Sequence, residues 1–157
     1  MSDSPGHDAR LAELGIDLPE PAAPVAAYVP AVEAGGLLYL SGQLPFRDGA
    51  LMTGRLGEDR DEEYGRLAAE RCGAMLLAQI RAALGSLDRV ERIVRLGVFV
   101  ASAPDFTAQA KVANGASELL ASVFGEAGRH ARAAVGVPVL PLGAAVEADA
   151  IVAVRRG

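Results

Sequence analysis

The chain has 157 residues, which is the size of one domain, and 51% of them are hydrophobic, so it can bury a substantial core. Its net charge is −5 and its 15 Lys and Arg residues are dispersed among acids, which argues against a nucleic-acid partner, because phosphate binding needs a concentrated basic patch. One cysteine excludes an intrachain disulfide and favours a cytoplasmic location, and a polar start without a long apolar run argues against a signal peptide or a membrane span.

Residues 1–27 are predicted to form an arm that lies over the domain rather than a domain of their own. Residues 9–14 have the pattern of a short helix. Pro19, Pro21 and Pro24 then impose an extended path, because proline fixes φ and removes a hydrogen-bond donor. The domain itself is expected from residue 28 to residue 157.

Residues 28–43 predict two strands joined at Gly35-Gly36. The apolar run Leu37–Leu40 is typical of a buried strand. The segment 45–57 is rich in turn residues, and one short strand is expected there, around residues 50–52.

Two amphipathic helices are predicted next. Acids crowd the start of the first at residues 58–63, where negative charge suits the helix dipole, and apolar residues spaced by three and four continue to Leu84 before Gly85 ends the helix. The second is expected over residues 104–124 and ends at Gly125.

Three more strands are predicted at residues 90–101, 131–139 and 145–154. Helices interleaved with strands in a short chain indicate a two-layer α+β domain, with a mixed sheet and two helices on one face. Nothing in the sequence supplies a third layer, so we expect another subunit to cover the other face of the sheet.

Short motifs that follow one another over residues 28–156 resemble the RidA/YjgF family of enamine/imine deaminases, also labelled endoribonuclease L-PSP-like: Tyr28, Ser41-Gly42-Gln43, Phe99-Val100, Asp105-Phe106, Asn114, Arg132 within 131–137, Leu140-Pro141 and Val146-Glu147. The resemblance implies a chorismate-mutase-like fold, a homotrimer with three clefts between subunits, and a reaction that uses no cofactor. The sequence departs from the pattern in the spacing of Asn114 and Arg132, which is one residue longer, and in Gly128-Arg129-His130, which replaces a plainer, often proline-bearing approach. The chain is therefore expected in a divergent branch.

Arg132 is the first candidate catalytic residue. Strand alternation places it with His130, Ala134 and Gly136 on one face, while Ala131, Ala133, Val135 and Val137 are expected on a core face. A guanidinium can bind a carboxylate through two parallel hydrogen bonds, and the small Ala134 leaves room for that ligand. A solvated arginine or a structural ion pair is the alternative interpretation.

Glu147 is the second candidate catalytic residue, at the position where the resemblance implies an acid that positions water or handles a proton. It shares a strand face with Asp149, and a pair of solvated carboxylates is the alternative. If the last two strands are antiparallel, Arg132 lies level with Val152 and roughly 16 Å along the strand from Glu147. We therefore expect the two residues of one cleft to come from different chains.

Tyr28, Ser41 and Asn114 are candidate substrate-binding residues, because a phenol can close over a ligand and a strand-end hydroxyl can hold a carboxylate oxygen. Ordinary packing or surface solvation is an equal alternative for each. His130 shares the face of Arg132, but two histidines without matching ligand spacing do not predict a metal site. Cys72 lies on the apolar face of the first predicted helix and is expected in the core.

The function that the resemblance implies is hydrolysis of reactive 2-enamine and 2-imino acids to 2-keto acids and ammonia, with the carboxylate of the small substrate on Arg132 and water positioned by Glu147. A trimer that binds a small carboxylate without converting it is the alternative. Endoribonuclease activity is disfavoured, because the chain is acidic, poor in aromatic residues and without a pair of acid–base histidines.

Overall fold

The computed structural model describes residues 5–24 and 27–156; residues 1–4, 25 and 26 of the predicted arm and the final residue 157 lie outside the described part. The helices and strands follow in this order along the chain: α1 His7–Glu13, β1 Ala31–Ala34, β2 Leu37–Gln43, β3 Phe46–Arg47, β4 Ala50–Leu51, α2 Glu62–Leu84, β5 Val90–Ala101, α3 Gln109–Phe124, β6 Ala131–Val137 and β7 Val146–Val154.

Five strands form one mixed sheet in the order β1-β2-β7-β5-β6. The pair β5–β6 is parallel and is joined through α3, as parallel neighbours require a crossover; the other pairs are antiparallel. The strands β3 and β4 form a separate hairpin. The predicted two-layer α+β architecture with a mixed sheet is confirmed, whereas the β3 partner of the short strand was not predicted.

Both long helices begin later than predicted because the preceding residues form turns. The backbone N–H of Arg55 donates to the Asp59 carboxylate at 2.6 Å, which holds residues 55–60 in a turn. Asp61 then caps α2 by accepting from the N–H of Tyr64 at 2.9 Å. At the other end, Gly85 adopts φ 83°, a left-handed conformation that glycine adopts without strain.

Small residues let the two long helices approach closely. A β-carbon on Gly115 in α3 would collide with the backbone carbonyl of Arg66 in α2. A β-carbon on Gly73 would lie 3.1 Å from Leu119. Part of the glycine and alanine content therefore serves helix contact within one chain.

The two faces of the sheet differ in burial. Facing α2 and α3, the side chains of Ile93, Leu96, Val98, Val146 and Val152 are 0–1% exposed. The opposite face, called the open face below, leaves Val32, Tyr39 and Val135 51%, 44% and 46% exposed. The core thus lies between the sheet and the helices, and nothing in the described chain covers the open face.

The N-terminal segment packs on the same core. Leu11 of α1 is 3% exposed and belongs to the core cluster. Farther along, the buried Gln79 of α2 donates from its Nε2 to the carbonyl of Ala22 at 2.8 Å, which holds the proline-rich stretch against the domain. No helix in the described part of the chain has the length and apolar character needed to cross a membrane.

Candidate functional site

Arg132 lies on β6, the edge strand, and its side chain projects toward α3 rather than toward the open face. Its strand position is level with Leu96 of β5, which is fully buried on the helix side. Its Nη1 donates to Asn114 Oδ1 at 2.8 Å and to Ser117 Oγ at 3.1 Å, and its Nη2 donates to the carbonyl of Ala110 at 3.2 Å. Three acceptors of α3 therefore hold the guanidinium in one orientation.

The contacts of Arg132 leave part of its binding capacity unused. A guanidinium has five N–H donors, and these three hydrogen bonds leave the Nε donor and one Nη2 donor. All three acceptors are uncharged, and within residues 5–24 and 27–156 no carboxylate lies within 4.0 Å of the guanidinium. The unused Nε and Nη2 donors belong to the edge through which a guanidinium can bind a carboxylate by two parallel hydrogen bonds.

Ser117 and His130 extend the hydrogen-bond network of Arg132. Ser117 Oγ lies 2.9 Å from His130 Nε2, and His130 Nδ1 lies 2.6 Å from the carbonyl of Gly128. Sequence reasoning missed Ser117, although it lies three residues after Asn114 and therefore on the same face of a helix. Together Asn114, Ser117, His130, Arg132 and Ala134 form what we call the arginine wall.

Ala134 and Gly136 share the face of β6 on which Arg132 lies. Ala134 is half-buried and packs against the core. A β-carbon on Gly136 would lie 2.7 Å from the amide nitrogen of Gln109, so Gln109 would have to move to admit any larger residue there. Gly136 itself is exposed and, together with Gln109, borders a cavity of about 480 Å³.

The predicted faces of β6 are wrong in one respect. Alternation is present, but Ala131, Ala133 and Val135 are exposed, whereas they were expected in the core. The helices cover only one face of the sheet, and that is the face on which Arg132 lies. The small, apolar residues instead point to the open face.

Glu147 lies on β7 with its side chain on the open face, as does Asp149. Its carboxylate lies directly over Gly42, where a β-carbon would collide with it. Burial raises the pKa of Glu147 above its ordinary value of 4.5, and the nearby Asp149 charge raises it further. A carboxyl group with a raised pKa can exchange a proton at a higher pH than a fully solvated one, as a general acid or base requires.

Asp149 is held differently from its neighbour. Its carboxylate lies 3.9 Å from Arg95 Nη1. Burial raises its pKa, while Arg95 and backbone hydrogen bonds lower it in part. Asp149 thus has a cationic partner in its own chain.

Tyr28 and Ser41 lie on the Glu147 side of the sheet. Tyr28 is 48% exposed, and the Ser41 hydroxyl donates to the carbonyl of Val29 at 2.7 Å, which ties the entry to β1 against β2. Tyr28, Ser41, Gly42 and Glu147 form what we call the glutamate wall. A cavity of about 290 Å³ adjoins this wall, with an apolar lining that includes Pro24, Tyr28, Gly42, Leu44, Phe46 and Leu142.

The two walls lie on opposite faces of the sheet of one chain. Arg132 is level with Ala150 through Leu96, not with Val152, because β6 pairs with only the second half of β5. Phe99 of β5 pairs with both Glu147 and Val135, so Glu147 is level with Val135. Arg132 lies three residues before Val135 and two strands away from Glu147, so the Cα atoms of Arg132 and Glu147 are roughly 14 Å apart. The predicted distance between Arg132 and Glu147 of one chain was therefore wrong. Because the two side chains lie on opposite faces of the sheet, they still cannot hold one small molecule together.

Cys72 lies near this region without being accessible. It is fully buried in α2, and burial raises the pKa of its thiol far above the ordinary range, with a further contribution from the Glu147 charge. A buried, protonated thiol is not a nucleophile. The prediction that Cys72 is a core residue is confirmed.

Comparisons with known proteins place this geometry in a family. Residues 8–150 match the family described as "YjgF/chorismate mutase-like, putative endoribonuclease", a span that includes much of the segment before residue 28. Protein TCP17 of Trypanosoma cruzi is 56% identical over 146 residues, which cover 92% of this chain and 91% of that protein.

Solved structures agree with the sequence match. The protein Atu1372 of Agrobacterium tumefaciens, of unknown function, is 50% identical with a TM-score of 0.87, over 94% of this chain and 92% of that one. RidA from the Antarctic bacterium Psychrobacter sp. is 30% identical with a TM-score of 0.59, over 86% of this chain and 94% of that one. The predicted chorismate-mutase-like fold is confirmed.

Proposed function

The chain belongs to the YjgF/RidA family, and from that premise we propose that it hydrolyses reactive 2-enamine and 2-imino acids to 2-keto acids and ammonia. The observation that carries the proposal is the state of Arg132. It is held by three uncharged acceptors and keeps two donors along one edge, the geometry that a substrate carboxylate requires. If Arg132 were a structural arginine in an ion pair, that edge would instead bind a carboxylate of its own chain.

The proposed site combines two chains. Arg132 of one copy and Glu147 of a neighbouring copy would face each other across a subunit interface in a homotrimer. Two features support this assembly: the arginine and glutamate walls lie on opposite faces of each sheet, and the open face carries exposed apolar side chains at Val32, Tyr39 and Val135. Exposed apolar side chains on a sheet face that the described chain leaves uncovered favour burial against a partner.

The proposed chemistry needs no group beyond these side chains and water. An enamine first takes a proton on carbon and loses one from nitrogen, which makes it the imine. Water then adds to the imine carbon while Glu147 passes one of its protons to the nitrogen, which gives a carbinolamine. Glu147 next transfers the hydroxyl proton of the carbinolamine to the nitrogen, so that the C–N bond breaks, ammonia leaves and the C=O bond forms. The raised pKa of Glu147 suits a group that both takes and returns a proton.

A coupled assay tests the proposal. A pyridoxal-phosphate serine dehydratase or an amino-acid oxidase generates the imine, and release of keto acid and ammonia is followed with the wild-type protein and with Arg132→Ala. The matched control is Arg81→Ala, which removes an exposed arginine in the last turn of α2. The wild type and Arg81→Ala should accelerate hydrolysis, and Arg132→Ala should not.

Two other outcomes lead to the alternatives. A folded wild-type protein that accelerates no imine but binds 2-keto acids in an Arg132-dependent manner would be a carboxylate-binding protein. RNA cleavage that persists through purification and disappears in Arg132→Ala would support the endoribonuclease description. Against that activity, both ring nitrogens of His130 already have hydrogen-bond partners in the chain.

A further inference from the structure

Behind the ligand edge of Arg132, three side chains form a continuous line of hydrogen bonds. It runs from Arg132 Nη1 to Ser117 Oγ at 3.1 Å, from Ser117 Oγ to His130 Nε2 at 2.9 Å, and from His130 Nδ1 to the carbonyl of Gly128 at 2.6 Å. All three side chains are half-buried. The line starts on β6, crosses to α3 and returns to the residues that lead into β6.

Chemistry fixes the direction of the two outer bonds in this line. A carbonyl oxygen can only accept, so His130 Nδ1 carries the proton that it donates to Gly128. Arg132 can only donate, so a lone pair of Ser117 Oγ accepts from Nη1. The Ser117 hydroxyl can then donate to His130 Nε2, which gives each donor in the line an acceptor.

We propose that Ser117 and His130 are positioning residues that set the angle of the Arg132 guanidinium and thereby orient the carboxylate of the substrate. This inference rests on the proposed function, because it assigns a role in that same site. Asn114 and Ser117 both accept from Nη1, and the Ala110 carbonyl accepts from Nη2, which leaves the Nε donor and one Nη2 donor unused. Without Ser117, the guanidinium loses one of the three contacts that set its angle.

In the proposed arrangement, the Nε2 atom of His130 orders the Ser117 hydroxyl. A hydroxyl rotates freely unless an acceptor holds its proton, and the rotation decides whether a lone pair faces the arginine. Nε2 is that acceptor. His130 therefore acts on the ligand through two other residues and is expected to change binding rather than the chemical step.

The experiment compares Ser117→Ala, His130→Leu and His130→Gln with the wild type. Leucine removes both hydrogen bonds of the ring, whereas the glutamine amide can supply an acceptor near the place of Nε2. Ser122→Ala is the matched control, because Ser122 lies on the same helix and donates to the carbonyl of Leu119 within its own turn. Circular dichroism and thermal unfolding establish that each variant is folded.

Two binding measurements are made on every variant: KM for the imine in the coupled assay, and the dissociation constant of 2-oxobutanoate by titration calorimetry. We expect Ser117→Ala and His130→Leu to raise both constants about tenfold, with kcat changed less than threefold, because the loss corresponds to one charge-assisted hydrogen bond. His130→Gln should recover most of the affinity, and Ser122→Ala should match the wild type. Equal constants in Ser117→Ala and the wild type, or equal losses in His130→Gln and His130→Leu, would overturn the proposal.

A spectroscopic measurement separates this proposal from the proposed function. Two-bond 1H–15N correlation spectra of the two histidines should show His130 with its proton on Nδ1; a proton on Nε2 would contradict the line of hydrogen bonds. If the wild type binds 2-oxobutanoate with the expected variant pattern but turns over no imine, the proposed function fails and the positioning role stands. If the wild type does not bind 2-oxobutanoate, both fail.

Discussion

The two faces of the sheet carry the two halves of the proposed site, and they are built in opposite ways. On the covered face, Arg132 is fixed by α3 of its own chain through Asn114, Ser117 and the carbonyl of Ala110. On the open face, Glu147 lies over Gly42, and its side chain is half-buried. One chain thus completes the surroundings of the arginine, whereas in the proposed trimer a partner would complete those of the acid.

The two faces also contribute differently to stability. The covered face holds the packed apolar core of the chain, beside which Arg132 lies. The open face combines exposed apolar residues with carboxylates of raised pKa, a combination typical of an interface that is also a site.

The largest effect on stability is expected from a substitution on the covered face. Leu96→Ala removes a fully buried side chain between the sheet and the helices, and it should lower the free energy of unfolding by about 2–5 kcal/mol. The measurement is urea unfolding followed by circular dichroism. Leu142→Ala is the matched control, since that leucine is 72% exposed; an equal loss in both variants would contradict the assignment of the core.

A large effect on activity without a loss of stability is expected at Arg132. Arg132→Ala should lower kcat/KM about a hundredfold, and Arg132→Lys about tenfold, because lysine keeps the charge and loses the two-pronged geometry. Steady-state kinetics together with thermal unfolding measure both properties. If Arg132→Lys were as active as the wild type, the positive charge alone, without the bidentate geometry, would account for substrate binding.

On the open face, a charge should disrupt assembly rather than folding. Val135→Glu places a carboxylate at an exposed apolar position of the open face, so for the proposed trimer we expect a shift from trimer toward monomer in sedimentation experiments, with helix content unchanged. Val139→Glu provides the control, because Val139 is 67% exposed in the loop after β6. A trimer that tolerates Val135→Glu would place the interface elsewhere.

The smallest expected effect concerns Glu147 and pH. Because the pKa of Glu147 is raised in the folded chain, the folded state holds a proton over a pH range in which the unfolded state has released it, and stability falls as the pH rises through that range. Glu147→Gln removes the titrating group and with it this decrease in stability at higher pH. The variant should therefore melt above the wild type at neutral pH, and the difference should shrink as the pH falls toward the ordinary carboxyl value of 4.5.

The control for this pH experiment is Glu91→Gln, which changes an exposed carboxylate on β5. Differential scanning calorimetry over a pH series gives the comparison. A Glu147→Gln variant that melts below the wild type at neutral pH would mean that the carboxylate makes a stabilising interaction that its burial does not reveal.

Much of the fold could be predicted from local patterns. Apolar spacing and the glycines at 85 and 125 gave the two long helices and their ends, and alternation gave the two faces of β7. These features depend on neighbours within a few residues of each other in sequence. The starts of the helices were less accurate, because polar turns before α2 and α3 resemble a first helical turn.

The errors concern features that sequence does not encode locally. Period-two alternation separates the faces of β6 but does not say which face the helices cover, so Ala131, Ala133 and Val135 were assigned to the wrong side. Strand ends do not fix register, so Arg132 was expected beside Val152 instead of Ala150. The role of Ser117 depends on α3 lying alongside β6, which is a tertiary contact.

A mixed-subunit experiment tests the central claim, that Arg132 and Glu147 of one site come from different chains. Arg132→Ala and Glu147→Gln subunits, each inactive alone, are co-expressed in equal amounts and assayed for imine hydrolysis. Random trimers should regain about a quarter of wild-type activity, because one cleft in four then joins an intact Arg132 to an intact Glu147 of its neighbour. Mixed trimers no more active than either variant alone would contradict the account.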